Sequence, residues 1–255
     1  MRLAFNRSLV AAASAAVLFS MSGFAEPAQD ASAYAQVLAS PDRLVADRAR
    51  DEGRKAAETL AFAQVEPGQK IADMIIGGGY FTRLFAAAVG DAGSVVAWQP
   101  AEFIAFQASY GESLTTVDEA HENVTAIRSP IGAPDFPQGL DLVFTAQNYH
   151  DLHLAPFPDD TAAKVNAAVF AALKPGGLYV IVDHSAQPGA GLGVADSLHR
   201  IDIADVRREV EAAGFVLDAQ SDILARPADP RTANVFDAGI RGQTDQFMLR
   251  FRKPA

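Results

Sequence analysis

The stretch IADMIIGGGYFTRLFA, residues 71–86, decides the fold. A β-branched, apolar run meets Gly77, Gly78 and Gly79 and is followed by an amphipathic segment. That order reads as a strand, a tight turn and a helix. Glycine at the turn lets main chain approach a ligand where a Cβ would stand in the way. Asp73, late in the strand, is placed to orient the turn or to receive a cationic group. An ordinary βα turn has the same pattern. As a dinucleotide fingerprint it fails, because G-x-G-x-x-G begun at Gly77 puts its third glycine on Thr82.

Outward from this turn, strands and helices alternate. Strands are expected at 70–74, 95–98, 123–129, 139–147 and 178–184, and helices at 80–89, 101–110 and 161–173, with KPGG as a turn before the fifth strand. Such alternation implies a parallel sheet covered on both faces, a doubly wound α/β, Rossmann-like architecture. A helix at 203–213, ended by Gly214, leads to a strand at 215–224. A long polar loop then precedes DQFMLRFRK, which alternates as an edge strand does. Two strands with no helix between them make an antiparallel pair. Upstream, residues 26–40 read as a flexible lead-in. Residues 41–65 read as one or two helices, with Ser40 as N-cap and Pro41 at the first helical position.

The chain has 255 residues, 49% hydrophobic and 20% charged, which suits one large globular domain or one domain with extensions. It begins MRLAFNRSLVAAASAAVLFSMSGFAEP, with basic Arg2 and Arg7, an apolar centre and small residues before Ala25. This is the pattern of an export signal over residues 1–25, and it implies an exported, periplasmic protein. The organisation expected is then a signal peptide at 1–25, a helical extension at 26–65 and the main domain at 66–255. The apolar run is short against the roughly 20 residues that span a bilayer, so no stable membrane insertion is expected after cleavage. An uncleaved anchor is the alternative. A formal charge of −10 with no dense Lys/Arg cluster argues against nucleic acid as a partner. With no cysteine there is no disulfide. Nothing in the pattern specifies an oligomeric state.

Asp73-x-x-x-Gly77-x-Gly79-Tyr80-Phe81-Thr82 is followed in order by VGDAGSVVAW, GLDLVFTAQNYHDLH, LKPGGLYVIVDH and EVEAAGFVL. Together these resemble the class I S-adenosylmethionine-dependent methyltransferases over about residues 43–253. They are most similar to exported bacterial proteins described as predicted methyltransferases. The resemblance implies a seven-stranded sheet, mostly parallel with a C-terminal antiparallel strand. It implies S-adenosylmethionine as cofactor and methyl transfer to a small-molecule substrate. It places the cofactor's methionine part near Asp73, Gly77, Gly78 and Gly79, and its ribose near Gln99 or Glu102. Three positions depart from the family pattern. Ile75 stands where the family has its first glycine, Gln99 where it has a ribose-binding acid, and Ser129 near where an acid often follows the third strand, the nearest acid being Asp135. A neutral amide accepts hydrogen bonds less strongly than a carboxylate.

Four of the five histidines follow the fourth and fifth strands: His150 and His153 in NYHDLH, His184 in VDHS and His199 in SLHRID. Neighbouring strand tips would gather them beside the glycine turn, whereas His121 reads as solvated surface. Three readings stay open. They are hydrogen-bonding loop residues. Or His150 and His184 serve catalysis by taking the acceptor's proton, with Tyr149 shaping the pocket. Or His150, His153 and His184 or His199, helped by Asp151 or Asp183, hold zinc or copper. Magnesium would instead recruit Asp151 and Asp183. Asp51 and Arg54 read as a lid or a solvated pair, and Arg200 with Asp202 as a carboxylate site or a mutual pair. Asp229 and Arg231 read as closing the long loop over the pocket. The two function classes are therefore an enzyme and a non-catalytic exported protein that binds a small ligand or a metal on the same fold.

Overall fold

Alternating hydrophobicity along the strands decides the layering. In the computed structural model, which describes residues 30–41 and 43–255, the sheet has seven strands. They are β1 (Lys70–Met74), β2 (Ser94–Pro100), β3 (Val124–Ser129), β4 (Leu140–Ala146), β5 (Leu173–His184), β6 (Val216–Ser221) and β7 (Gln246–Arg252). Their order is β3-β2-β1-β4-β5-β7-β6. The first five pair in parallel, and β7 runs antiparallel to both β5 and β6. The predicted export signal lies outside the described residues. No helix among the described residues is long and apolar enough to cross a membrane.

Successive strand residues feed opposite cores, as a period of two requires. Along β5, Leu178, Val180 and Val182 join one core while Tyr179 and Ile181 join the other. The first core is covered by α4 (Ala56–Phe62) and α5 (Tyr80–Val89). Phe81, Leu84 and Phe85 on α5 recur at helical spacing, and Phe85 packs edge-on to Phe144 of β4 with centroids 5.0 Å apart. Burying a side chain of this size contributes on the order of 2–3 kcal/mol. The opposite core is covered by α8 (Thr161–Ala172) and α10 (Ile203–Ala212) and holds Trp98, Val165, Val210 and Phe251.

Six local readings change. The lead-in is partly ordered: Ala31–Tyr34 forms a 3-10 turn and Ala35–Ala39 a short helix, α1. Tyr34 is buried and its hydroxyl donates to the Val65 carbonyl at 2.7 Å. Ser40 is the C-cap of α1, pushed to extended backbone (ψ 129°) by the proline after it, and it is not an N-cap because the next helix starts only at Val45. The region after it breaks into α2 (Val45–Arg48), α3 (Asp51–Arg54) and α4, with Lys55 left-handed between the last two. KPGG loops out inside β5, where the pairing jumps from Leu140↔Leu173 to Leu142↔Leu178. Finally, β7 is an interior strand. Its alternation is overridden by pairing on both sides, and β6 takes the edge. Between β2 and β3, a single expected helix is split at Gln107 into α6 (Ala101–Phe106) and α7 (Ala108–Ala120).

Strand order reverses between β1 and β4. Ligands of open α/β sheets sit beyond the carboxyl ends of the strands at such a switch point. The glycine turn follows β1, and the His-containing segment follows β4.

Candidate active site

A cavity of about 990 Å³ opens at this switch point. One wall is the turn after β1, and its backbone is unusual. Ile75, Gly77 and Gly79 all have positive φ, at 60°, 54° and 73°. For a β-branched residue such as Ile75 this is a strained conformation. The position where the resemblance expects a glycine keeps a glycine-like backbone here while carrying a buried side chain into the cavity wall. Around Gly77 and Gly78 the space a Cβ would take is open. Gly79 differs: it caps α5, and a Cβ there would meet Val117 Cγ1 at 2.6 Å. Gly79→Ala is expected to lower stability by about 1–2 kcal/mol, measured by denaturant unfolding, from the clash and the left-handed backbone together.

Asp73 and Glu102 line the cavity, whereas Gln99 does not. Gln99 is wholly buried behind the turn, and its Oε1 accepts from the Gly77 N–H at 3.0 Å. It braces the turn, which corrects the expectation of a ribose contact. Its Nε2 has no hydrogen-bond partner among the described residues. Glu102 uses Oε2 to accept from the Ile131 N–H at 2.9 Å. Asp73 accepts from the Thr82 hydroxyl at 2.6 Å. Burial pushes its carboxyl up to about 6, with the Thr82 hydrogen bond and the Arg54 charge pulling the other way.

Arg54 is the residue that sequence reasoning undervalued. Asp51 does not pair with it. Asp51 takes a bidentate contact from Arg43 and a hydrogen bond from the Tyr80 hydroxyl at 2.7 Å. A second bidentate pair, Arg83 with Asp47, fixes the N-terminal helices to α5. So held, Arg54 reaches the cavity, its guanidinium over Tyr80 and Phe81 at 4.7 and 5.3 Å from the ring centroids. Its one side-chain hydrogen bond among the described residues is a long one, 3.4 Å to Gln147 Oε1. Burial, with Arg50 nearby, lowers its pKa to about 10, so it stays charged at neutral pH.

The opposite wall carries His150, His184 and His199. His150 and His153 lie in one 3-10 turn, His150–His153, but only His150 lines the cavity. The His153 Nε2 pairs with Glu209 at 3.0 Å, away from the cavity. Tyr149 is likewise turned into the core, fully buried, its hydroxyl bound to Glu209 and Asn166. It does not shape the pocket, because the turn after β4 directs it onto α8 and α10. Asp183 stands behind His150, accepting from its backbone N–H and its Nδ1, both at 2.8 Å. Asp151 contacts the other nitrogen, Nε2, at 3.2 Å. Burial alone would lower the pKa of His150, but the Asp183 and Asp151 carboxylates outweigh it and raise the pKa. His184 goes the other way: burial pushes it down to about 4, so it is neutral at physiological pH. Its Nδ1 is engaged by the Thr244 hydroxyl at 2.8 Å, which leaves Nε2 as its nitrogen without a partner among the described residues. Among the potential metal ligands, the structure brings together His150, Asp151 and His199.

Arg200 and Asp202 do not pair with one another or face the cavity. Arg200 is fully buried and bound to Asp229, while Asp202 caps α10 and accepts from the Gly189 N–H. The loop anchored by Asp229 contributes Val235, Phe236 and Arg241 to the cavity rim.

No protein-family profile matches the sequence, and no curated protein matches it. Solved structures do. A S-adenosylmethionine-dependent methyltransferase from Aquifex aeolicus is 17% identical with a TM-score of 0.56, covering 88% of this chain and 99% of its own. A TehB-like methyltransferase from Corynebacterium glutamicum is 15% identical with a TM-score of 0.52, covering 88% and 97%. Fibrillarin from Aeropyrum pernix, with natively bound S-adenosylmethionine, is 15% identical with a TM-score of 0.50, covering 76% and 74%. The chain has the class I methyltransferase fold. At these identities the likeness establishes the fold and not the reaction.

Proposed function

We propose that this protein transfers a methyl group from S-adenosylmethionine to a small acceptor, in the compartment to which its leader-like start sends it. The observation that carries the reading is a charge pair matched to an amino acid. Asp73 and Arg54, with no carboxylate bound to Arg54 among the described residues, line one cavity beside a glycine turn. Together they complement a zwitterion, the carboxylate for its ammonium and the guanidinium for its carboxylate. The open space at Gly77 and Gly78 suits an adenosyl compound lying against main chain, and Glu102 keeps one oxygen for a ribose diol.

When bound, S-adenosylmethionine supplies an electrophilic methyl carbon on a sulfonium. The chain's part is mainly positioning, since an in-line transfer depends on alignment. Neutral His184 holds a free ring nitrogen at the cavity wall to take the acceptor's proton. His150, its ring fixed between the Asp183 and Asp151 carboxylates, presents a positioned imidazole at the same wall.

Isothermal titration with S-adenosylhomocysteine tests this, and pH gives it a signature. Below about 6 Asp73 takes up a proton and loses the charge that receives the ammonium. Affinity is therefore expected to fall as pH drops below that value, by up to roughly tenfold per unit for one linked proton. Asp73→Asn should bind more weakly and lose this pH dependence. Absence of binding at any pH removes the reading.

A further inference from the structure

We propose that His150, Asp151 and His199 form a site for a zinc-class divalent ion on the cavity wall, with one coordination position open to the cavity. Their ligand atoms all lie within 4.8 Å of one another. His150 Nε2 is 3.2 Å from Asp151 Oδ1, and His199 Nδ1 is 4.0 Å from the same oxygen. A tetrahedral zinc ion with bonds of about 2.0–2.2 Å spaces its ligands about 3.3–3.5 Å apart, so a contraction of at most about 1.5 Å closes the set.

Three independent features point to an ion. The first is the buried carboxylate behind the ligand. Asp183 receives the His150 Nδ1 at 2.8 Å, which leaves Nε2 to face Asp151 and His199. A carboxylate on the far nitrogen of an imidazole fixes the ring and strengthens it as a ligand. Asp183 is itself held by the His150 and His184 backbone N–H groups, so the arrangement is rigid. The second is His199. It closes α9 (Val194–Leu198) in the left-handed conformation at φ 52°, a backbone state that a non-glycine residue adopts at a cost of about 1–3 kcal/mol. That conformation brings its ring edge-on to His150, centroids 5.4 Å apart. The third is the count. His184, whose Nδ1 is engaged by Thr244, lies outside the set, which leaves three protein ligands and a free position. Closed structural zinc sites use four protein ligands, and sites that act on a substrate use three. Two imidazoles and one carboxylate suit zinc and its neighbours rather than magnesium or calcium, which prefer oxygen.

The existence of the site does not depend on methyl transfer. Only its use rests on that reading: the open position would seat an oxygen or sulfur of the acceptor near His184.

The test is metal retention. The protein is loaded with Zn²⁺, dialysed and assayed by elemental analysis, then loaded with Co²⁺ and its visible spectrum recorded. About one equivalent is expected, with the intense bands of a four-coordinate ion. His199→Asn, which keeps a residue tolerant of the left-handed backbone, should weaken zinc binding by roughly 10- to 100-fold. Asp151→Asn should do the same, while His121→Ala, remote from the cavity, should leave it unchanged. Loss of all zinc from the wild-type protein on dialysis, or equal retention by the wild type and His199→Asn, would overturn the proposal. Titration of the same samples with S-adenosylhomocysteine separates the two ideas. Zinc without cofactor binding leaves the site and removes the methyl donor, and the reverse outcome removes the site alone.

Discussion

Arg54→Ala should weaken S-adenosylhomocysteine binding by roughly 30- to 150-fold, the equivalent of about 2–3 kcal/mol for a charge-assisted contact to a carboxylate. The variant should fold normally. Arg54 closes α3 and makes no ion pair among the described residues, and the clamps that hold the N-terminal helices are Arg83–Asp47 and Arg43–Asp51. What it loses in the free protein is stacking on Tyr80 and Phe81 and one long hydrogen bond. The discriminating ligand is 5′-methylthioadenosine, which keeps the nucleoside and thioether and lacks the amino-acid end. Its affinity should be the same for wild type and Arg54→Ala. An equal loss for both ligands would mean that Arg54 shapes the cavity generally and does not read a carboxylate. Arg54→Lys should recover part of the affinity, because a point charge replaces a bidentate fork.

Why Arg54 was hard to see in the sequence is a matter of range. The strand, glycine turn and helix at residues 71–86 are local, and spacing alone reveals them. The gathering of His150, His184 and His199 follows from strand order, because the tips of β4 and β5 are neighbours whatever the loops do. Arg54 reaches the same cavity only through ion pairs between the N-terminal helices and α5, and no periodicity encodes those. Direction was equally hidden. His150 and His153 sit three residues apart in one 3-10 turn, yet His150 lines the cavity and His153 pairs with Glu209. Gln99 lies one residue beyond the expected strand and inside β2, and whether a side chain there faces a ligand or the turn depends on the twist at the strand end. Ile75 shows the converse. Its glycine-like φ persists without a glycine, held by its N–H on the Trp98 carbonyl at 2.8 Å and by Asn148 on its own carbonyl at 2.9 Å.

The second large effect concerns stability. Arg200→Ala is expected to cost about 3–5 kcal/mol, the usual penalty for leaving one partner of a buried ion pair alone. Neither side chain of the Arg200–Asp229 pair is more than 1% exposed, and the two meet at 2.8 and 3.2 Å. Arg200 also donates to the carbonyls of Ala233 and Ser185, so one guanidinium ties the end of β5 to the long loop before β7. Asp229 in turn accepts from the N–H groups of Arg231 and Asp245. For a domain of this size the loss corresponds to a fall in Tm of roughly 6–20 °C. Acid should expose it further. Burial pushes the Asp229 carboxyl up, but the Asp245 and Arg231 N–H groups and Arg200 outweigh that and hold its pKa low. Its stabilisation is therefore complete above the ordinary aspartate value of about 3.9 and is lost as pH falls through the lower folded value. Without Arg200 the acid transition should move to higher pH. Arg200→Ala with Asp229→Ala should recover much of the loss, since no charge is then left buried. A single variant within about 1 kcal/mol of wild type would mean that water reaches Asp229. The loop carrying Val235, Phe236 and Arg241 would then be held over the cavity by its apolar contacts instead of by this pair.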